Sequence, residues 1–127
     1  MNVKNFIIVW VVGFAAMLGI AALWHLVIMG WFYDIKPQLP FIVLAYLILA
    51  ALMSYACPIG YKGGHPAKEG VKFGIFIGLL WILPLQLILA SAGRTTFTIG
   101  LVDAAWHVVE QGVGGIVMGL LYGRSSG

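Results

Sequence analysis

Three ionisable residues near the end of the chain have the spacing of one helical face. Asp103, His107 and Glu110 follow one another at intervals of four and three residues, so an α-helix carries all three side chains on the same side. A carboxylate and an imidazole at this spacing can exchange a proton, because imidazole titrates near neutral pH. The same side chains are metal ligands, and His25, His107 and Glu110 are the candidate ligands of a metal ion. The pattern predicts proton or cation chemistry along one helix face.

The histidines allow a second interpretation, in which they hold a pigment. His25 and His107 each follow a tryptophan, in the matching segments Ala22-x-Trp24-His25-x-Val27 and Ala104-x-Trp106-His107-x-Val109. Histidines on different helices can ligate haem or chlorophyll, and the neighbouring alanines leave room for a flat macrocycle. The match is too short to indicate a gene duplication. It keeps a pigment-binding subunit as an alternative.

The elements that must carry these residues are membrane-spanning helices. The chain has 127 residues, of which 62% are hydrophobic and only 9% charged, against roughly 25% charged in a soluble domain. This composition excludes a water-soluble globule, and no polar stretch is long enough to form a domain outside the membrane. We therefore expect residues 1–127 to form a single integral membrane domain.

Charged residues mark the ends of the predicted spans, because a charge at the centre of a spanning helix costs on the order of 2.5 to 3.5 kcal/mol on insertion scales. No Asp, Glu, Lys or Arg occurs between Lys4 and Asp34, between Lys36 and Lys62, or between Lys72 and Arg94. These gaps predict helices over about 5–32, 39–60 and 72–92, and the stretch after Arg94 predicts a fourth over about 96–122. The sequence thus predicts an all-α bundle of four transmembrane helices with short loops.

The distribution of Lys and Arg predicts the orientation of the bundle. One predicted side holds Lys4, Lys62, Lys68, Lys72 and Arg124, and the other holds Lys36 and Arg94. The positive-inside rule then places both termini in the cytoplasm, and we expect the membrane to be a bacterial inner membrane. The net charge of +3 lies mostly in the loop 60–72, where it faces anionic lipid. No basic groove is present, so nucleic acid is not an expected partner.

All four predicted helices place polar side chains in the outer half of the membrane. With a rise of about 1.5 Å per residue, Glu110 lies near the midplane, His107 about 3 Å and Asp103 about 9 Å toward the outer face. The other helices contribute His25, Tyr46 and Gln86 to the same layer. We expect the six residues to line a polar cavity, since ionisable groups inside a membrane usually mark function. The alternative is that bonds such as Asp103 with His107 and Glu110 with Tyr46 only hold the helices together.

Small residues on two helices predict where the helices pack most closely. Gly115, Gly119 and Gly123 repeat every four residues on the fourth helix, and Gly74 and Gly78 have the same spacing on the third. Glycine ridges of this kind let two backbones approach each other. The remaining face of the fourth helix is apolar and is expected to meet lipid; it consists of Val102, Trp106, Val109, Val113, Ile116 and Leu120.

Two stretches of the chain are similar to a known group of proteins. The segment Val102-Asp103-Ala104-Ala105-Trp106-His107-Val108-Val109, followed by Val117-Met118-Gly119, resembles the last helix of an uncharacterised family of small bacterial four-helix membrane proteins. The stretch from Ala22-Leu23-Trp24 to Gly30-Trp31 is similar to the end of the first helix of that family. The resemblance implies a four-helix architecture. It implies no functional residues, because the family has no established activity.

The chain lacks the common signatures of enzymes. It contains no G-x-S-x-G elbow, P-loop or dinucleotide fingerprint, so we expect no enzyme of standard type. Four helices enclose too little space for a private permeation path, which favours a homo-oligomer or a larger membrane complex. The leading hypothesis is a membrane protein that handles a proton, a cation or a small solute. The alternative is an accessory subunit of a respiratory or photosynthetic complex, holding haem or chlorophyll through His25 or His107.

Overall fold

Four helices account for almost all of the residues 2–28 and 38–125 that the computed structural model describes. They are α1, Val3–Ala22, which continues as a π-helical turn over Leu23–Ile28; α2, Leu39–Gly60; α3, Pro66–Ser91; and α4, Phe97–Ser125. All four are long and apolar enough to cross a membrane. No strand occurs in the described ranges, so the predicted all-α four-helix bundle is confirmed.

The start of α3 differs from the prediction, which took the charged residue Lys72 as the boundary of the helix. α2 has the predicted bounds 39–60, and α4 continues past 122 to Ser125. α3 begins at Pro66 rather than at 72, because Lys68 and Lys72 lie on its first turns with exposed side chains. Proline suits the first helical position, and lysine stems carry their charge outward. The end predicted at 32 for the first helix lies outside the described residues.

α4 is the central helix of the bundle. It packs against α1, α2 and α3, and α1 also packs against α2. Half of the most apolar window of α4 is buried inside the bundle, which is a larger share than in any of the other three helices. The helix that carries the polar stripe is therefore the most buried of the four, and each of the other three packs against it.

α3 and α4 approach each other through a ladder of glycines. A Cβ atom on Gly74 would collide with the backbone of Gln111 and Gly112, and one on Gly115 would collide with the backbone of Gly70 and Gly74. The ladder consists of Gly70, Gly74 and Gly78 on α3 and Gly115 and Gly119 on α4. Gly123, expected in the same ridge, lies instead against the ring of Pro66. The two predicted glycine ridges therefore lie face to face, with Gly70 as an additional member.

α1 and α4 interlock through two pairs of methionine and glycine. Met17 fills the space beside Gly114, and Met118 fills the space beside Gly13. Both methionine side chains are completely buried, and an unbranched side chain is well suited to such a notch. The two pairs run in opposite chain directions, so they hold α1 and α4 in one antiparallel register.

Replacing Gly74 by alanine should destabilise the protein by about 1–3 kcal/mol, because the new methyl group meets backbone that cannot move aside. Gly19→Ala is the matched control, since no atom lies within 4 Å of its Cβ position. The measurement is denaturant unfolding in detergent micelles, followed by circular dichroism. Equal stability of the two variants would contradict close backbone packing at the ladder.

Candidate functional site

The carboxyl group of Asp103 joins three helices. Its Oδ1 accepts a hydrogen bond of 2.9 Å from the indole Nε1 of Trp24 on α1, and its Oδ2 accepts one from the amide Nε2 of Gln86 on α3. The side chain of Asp103 is only 14% exposed. Hydrogen bonds to an ionised carboxylate are strong, and a lipid environment offers no water in exchange. Asp103 is therefore the polar anchor between α1, α3 and α4.

The imidazole of His107 has a partner at each ring nitrogen. Nδ1 lies 2.8 Å from the backbone oxygen of Asp103 and 3.6 Å from its Oδ1. A carbonyl oxygen can only accept, so the hydrogen-bond network assigns the ring proton to Nδ1. Nε2 is then the acceptor, and the hydroxyl of Tyr46 on α2 donates to it over 3.5 Å. The ring thus connects Asp103 with Tyr46.

Glu110 lies at the C-terminal end of this polar stripe and is completely buried. Its Oε1 accepts a hydrogen bond of 2.9 Å from Nε2 of Gln111, and its carboxyl group lies beside the hydroxyl of Tyr46. Its Oε2 has no hydrogen-bond partner among the described residues, and neither has Oε1 of Gln111, which is also completely buried. Two buried oxygens at this point therefore lack a donor.

The two Trp-His pairs of the sequence meet in the structure. Trp24 stacks on Trp106 with ring centroids 4.7 Å apart and planes inclined by 12°, and His25 meets His107 edge-on at 6.1 Å. Trp24 and His25 both lie in the π-helical turn that ends α1. A π-turn holds more residues than an α-turn, so neighbouring side chains diverge less and both can reach α4. Such turns are frequent at functional sites.

The structure brings the predicted polar residues into one cluster, which consists of His25, Tyr46, Gln86, Asp103, His107 and Glu110. Asp103 and His107 are neighbours as expected, although the shorter contact of His107 is with the backbone oxygen. The lipid-facing position predicted for Trp106 is wrong, because its ring is half-buried against Trp24.

Two members of the site are not among the predicted residues. Trp24 donates a hydrogen bond to Asp103, and the repeat of its Trp-His pair at Trp106-His107 is the sequence feature that corresponds to the meeting of the two segments. Gln111 lies off the arc of Asp103, His107 and Glu110. Its role follows only from the structure, where its amide meets the carboxyl group of Glu110.

The cluster does not provide a ligand set for a metal ion. Among the residues that the structure describes, no three His, Cys, Asp or Glu side chains lie close enough to hold one, so His25, His107 and Glu110 do not form a metal site in this arrangement. Nδ1 of His107 faces the backbone oxygen of Asp103 and Nε2 faces the hydroxyl of Tyr46, so ligation of haem or chlorophyll by His107 would require the hydroxyl of Tyr46 to move away from Nε2.

Comparisons of the chain with protein-family models, with curated proteins and with solved structures gave no match. The resemblance of α4 to a family of small bacterial membrane proteins therefore stays a prediction. The function has to be inferred from the chemistry of the cluster itself.

Replacing Trp24 by phenylalanine keeps an aromatic ring but removes the donor to Asp103. We expect the free energy of unfolding to fall by about 1.5–3 kcal/mol, the range for a hydrogen bond to a charged group. Trp81→Phe is the matched control, because Trp81 is 38% exposed and makes no hydrogen bond within the described ranges. Unfolding in micelles measures the difference. Equal losses in both variants would show that Asp103 does not depend on the indole.

Proposed function

We propose that this protein handles a proton inside the membrane and that Glu110 is the group that binds it. The observation that carries the proposal is the unpartnered Oε2 of a completely buried carboxyl group, next to the unpartnered Oε1 of Gln111. Burying an ionised carboxylate without a donor is costly, whereas a neutral carboxylic acid brings its own O–H donor. A proton on Oε2 supplies the donor that this part of the bundle lacks.

A metal cation is less suited to the same place. Calcium and magnesium take about six or more oxygen ligands, and Glu110 and Gln111 offer two unpartnered oxygens. The amide Nε2 of Gln111 also points a donor at the carboxyl group, and a donor does not ligate a cation. A proton needs only one lone pair. The proton is therefore the favoured form of the ion-handling hypothesis.

We further infer that proton binding is coupled to the movement of an ion or a small solute by a homo-oligomer with both termini in the cytoplasm. Ionisable groups within spanning helices are typical of proton relays in pumps and transporters. The polar cluster occupies one half of α4, so a path across the whole membrane requires neighbouring copies or a rearrangement of the bundle. The charge distribution in the sequence supports the orientation.

Proton binding at Glu110 can be measured directly in the purified protein. An acid titration followed by infrared difference spectroscopy should show the stretching band of a protonated carboxyl group, which Glu110→Gln removes. Glu69→Gln is the matched control, because Glu69 lies on the first turn of α3, away from the cluster. If Glu110→Gln removes no carboxyl band that Glu69→Gln leaves in place, the proposed site is overturned.

Proton movement can be measured in liposomes that contain the protein and a trapped pH indicator. Under a potassium diffusion potential we expect proton entry above the rate of protein-free liposomes. The double variant Glu110→Gln with His107→Ala should lower it on the order of 100-fold, the contribution typical of positioned proton-transfer groups. Glu69→Gln with His65→Ala is the matched control outside the cluster. Unchanged flux in the first variant would contradict a role of the cluster in transport.

A further inference from the structure

We infer that, in the arrangement that the structure shows, Glu110 exchanges its proton with only one side of the membrane, through Tyr46 and His107 to Asp103. Packed methionine and glycine residues separate Glu110 from the other side until the bundle rearranges. This inference rests on the proposed proton at Glu110. It adds the route by which the proton arrives and leaves, and the residues that carry it.

The two ends of the proposed route differ in exposure. The side chain of Asp103 is 14% exposed, whereas His107 and Tyr46 are each 4% exposed and Glu110 is completely buried. The route therefore leads from the partly exposed Asp103 to the centre of the bundle.

The successive groups are close enough for proton transfer after small adjustments. Oδ1 of Asp103 lies 3.6 Å from Nδ1 of His107, and Nε2 of His107 lies 3.5 Å from the hydroxyl of Tyr46. Ordinary hydrogen bonds are about 2.7–3.2 Å long, so shifts of less than an ångström close both steps. The same hydroxyl interacts with the carboxyl group of Glu110, although no direct hydrogen bond joins the two in the structure, so this step needs a rotation of the Glu110 carboxyl group toward the hydroxyl.

The transfer balances when three protons move together. After rotation of its carboxyl group, Glu110 gives its proton to the oxygen of Tyr46, and Tyr46 gives its hydroxyl proton to Nε2 of His107. His107 in turn gives the proton of Nδ1 to Oδ1 of Asp103, which releases it to water. The imidazole ends in its other neutral tautomer, and the reverse sequence reloads Glu110. The tautomer assigned from the hydrogen-bond network is the one that accompanies a loaded Glu110.

Groups on the other helices hold Asp103 in place at the end of the route. Trp24 on α1 and Gln86 on α3 donate hydrogen bonds to its two oxygens. His25 on α1 lies edge-on to His107 and makes no hydrogen bond in the described part of the chain. These are the titratable or polar neighbours that α1 and α3 contribute, and Tyr46 is the contribution of α2.

The opposite half of α4 has no acidic or imidazole group, and its first hydroxyl is that of Tyr122, near the end of the helix. No Asp, Glu, His or Lys occurs between Glu110 and Arg124. The positions that face α1 in this half are Gly114 against Met17 and Met118 against Gly13. The hydroxyl of Ser54 on α2 donates a hydrogen bond of 3.9 Å to the sulfur of Met118. A proton at Glu110 therefore meets close-packed apolar side chains in this direction.

The route can be tested by hydrogen–deuterium exchange of the Glu110 carboxyl group, followed by its infrared band. Tyr46→Phe should slow the exchange on the order of 100-fold, because the hydroxyl that passes the proton is lost. Tyr55→Phe is the matched control, since Tyr55 is 73% exposed. His107→Gln tests the same route at a second position and serves in place of Tyr46→Phe should that variant not fold. Exchange at the wild-type rate in either folded variant would overturn the route.

The sidedness can be tested in liposomes whose outer buffer is stepped in pH while the lumen stays strongly buffered. Labelling of exposed Lys62 by an impermeant amine reagent, located by peptide mass, reports the orientation. The Glu110 band should follow the compartment at the Asp103 end. A band that follows the Lys62 compartment would overturn the sidedness and leave proton binding at Glu110 intact. A spectrum in which Glu110→Gln removes none of the carboxyl bands would instead defeat the proposed function, and the route with it.

Discussion

The carboxyl group of Asp103 is largely shielded, with 14% of its side chain exposed, and the helices are arranged so that its oxygens receive donors from within the bundle. Its oxygens take their donors from Trp24 and Gln86, which belong to the first and third helices. Each donor fixes the height and rotation of its own helix relative to α4. The stack of Trp24 on Trp106 and the contact of His25 with His107 follow from the same placement of α1.

The two ends of α4 solve different physical problems. The Asp103 end must satisfy hydrogen-bonding groups, and it does so with side chains from all four helices. The other end must bring helices together without a hydrophobic force to drive them, since lipid is as apolar as the helices themselves. Here glycines of α3 pack against glycines of α4, and methionine packs against glycine between α1 and α4. These close contacts are stabilised by dispersion forces. Glu110 lies at the junction of the two.

The helix count and the polar face of α4 were predictable because the cost of charge in lipid and the period of the helix act on each segment alone. The start of α3 was not, because Lys68 and Lys72 lie on the helix and not before it. Trp106 was misplaced because a helical wheel treats one helix at a time and ignores its neighbour. Nothing in the residues Leu23–Ile28 marks this stretch as π-helical. The hydrogen bond from Trp24 to Asp103 could therefore not be predicted from the sequence.

The π-helical turn at the end of α1 also links helix rotation to the electrostatics of the site. Its wider turn is what lets both Trp24 and His25 face α4. A return to ordinary α-helical bonding would spread the two side chains apart, and one of them would leave its partner. Asp103 would then lose a donor, or His107 would lose its neighbouring ring. A rotation of this one turn of α1 would therefore change the surroundings of the Asp103 carboxyl group or of the His107 ring.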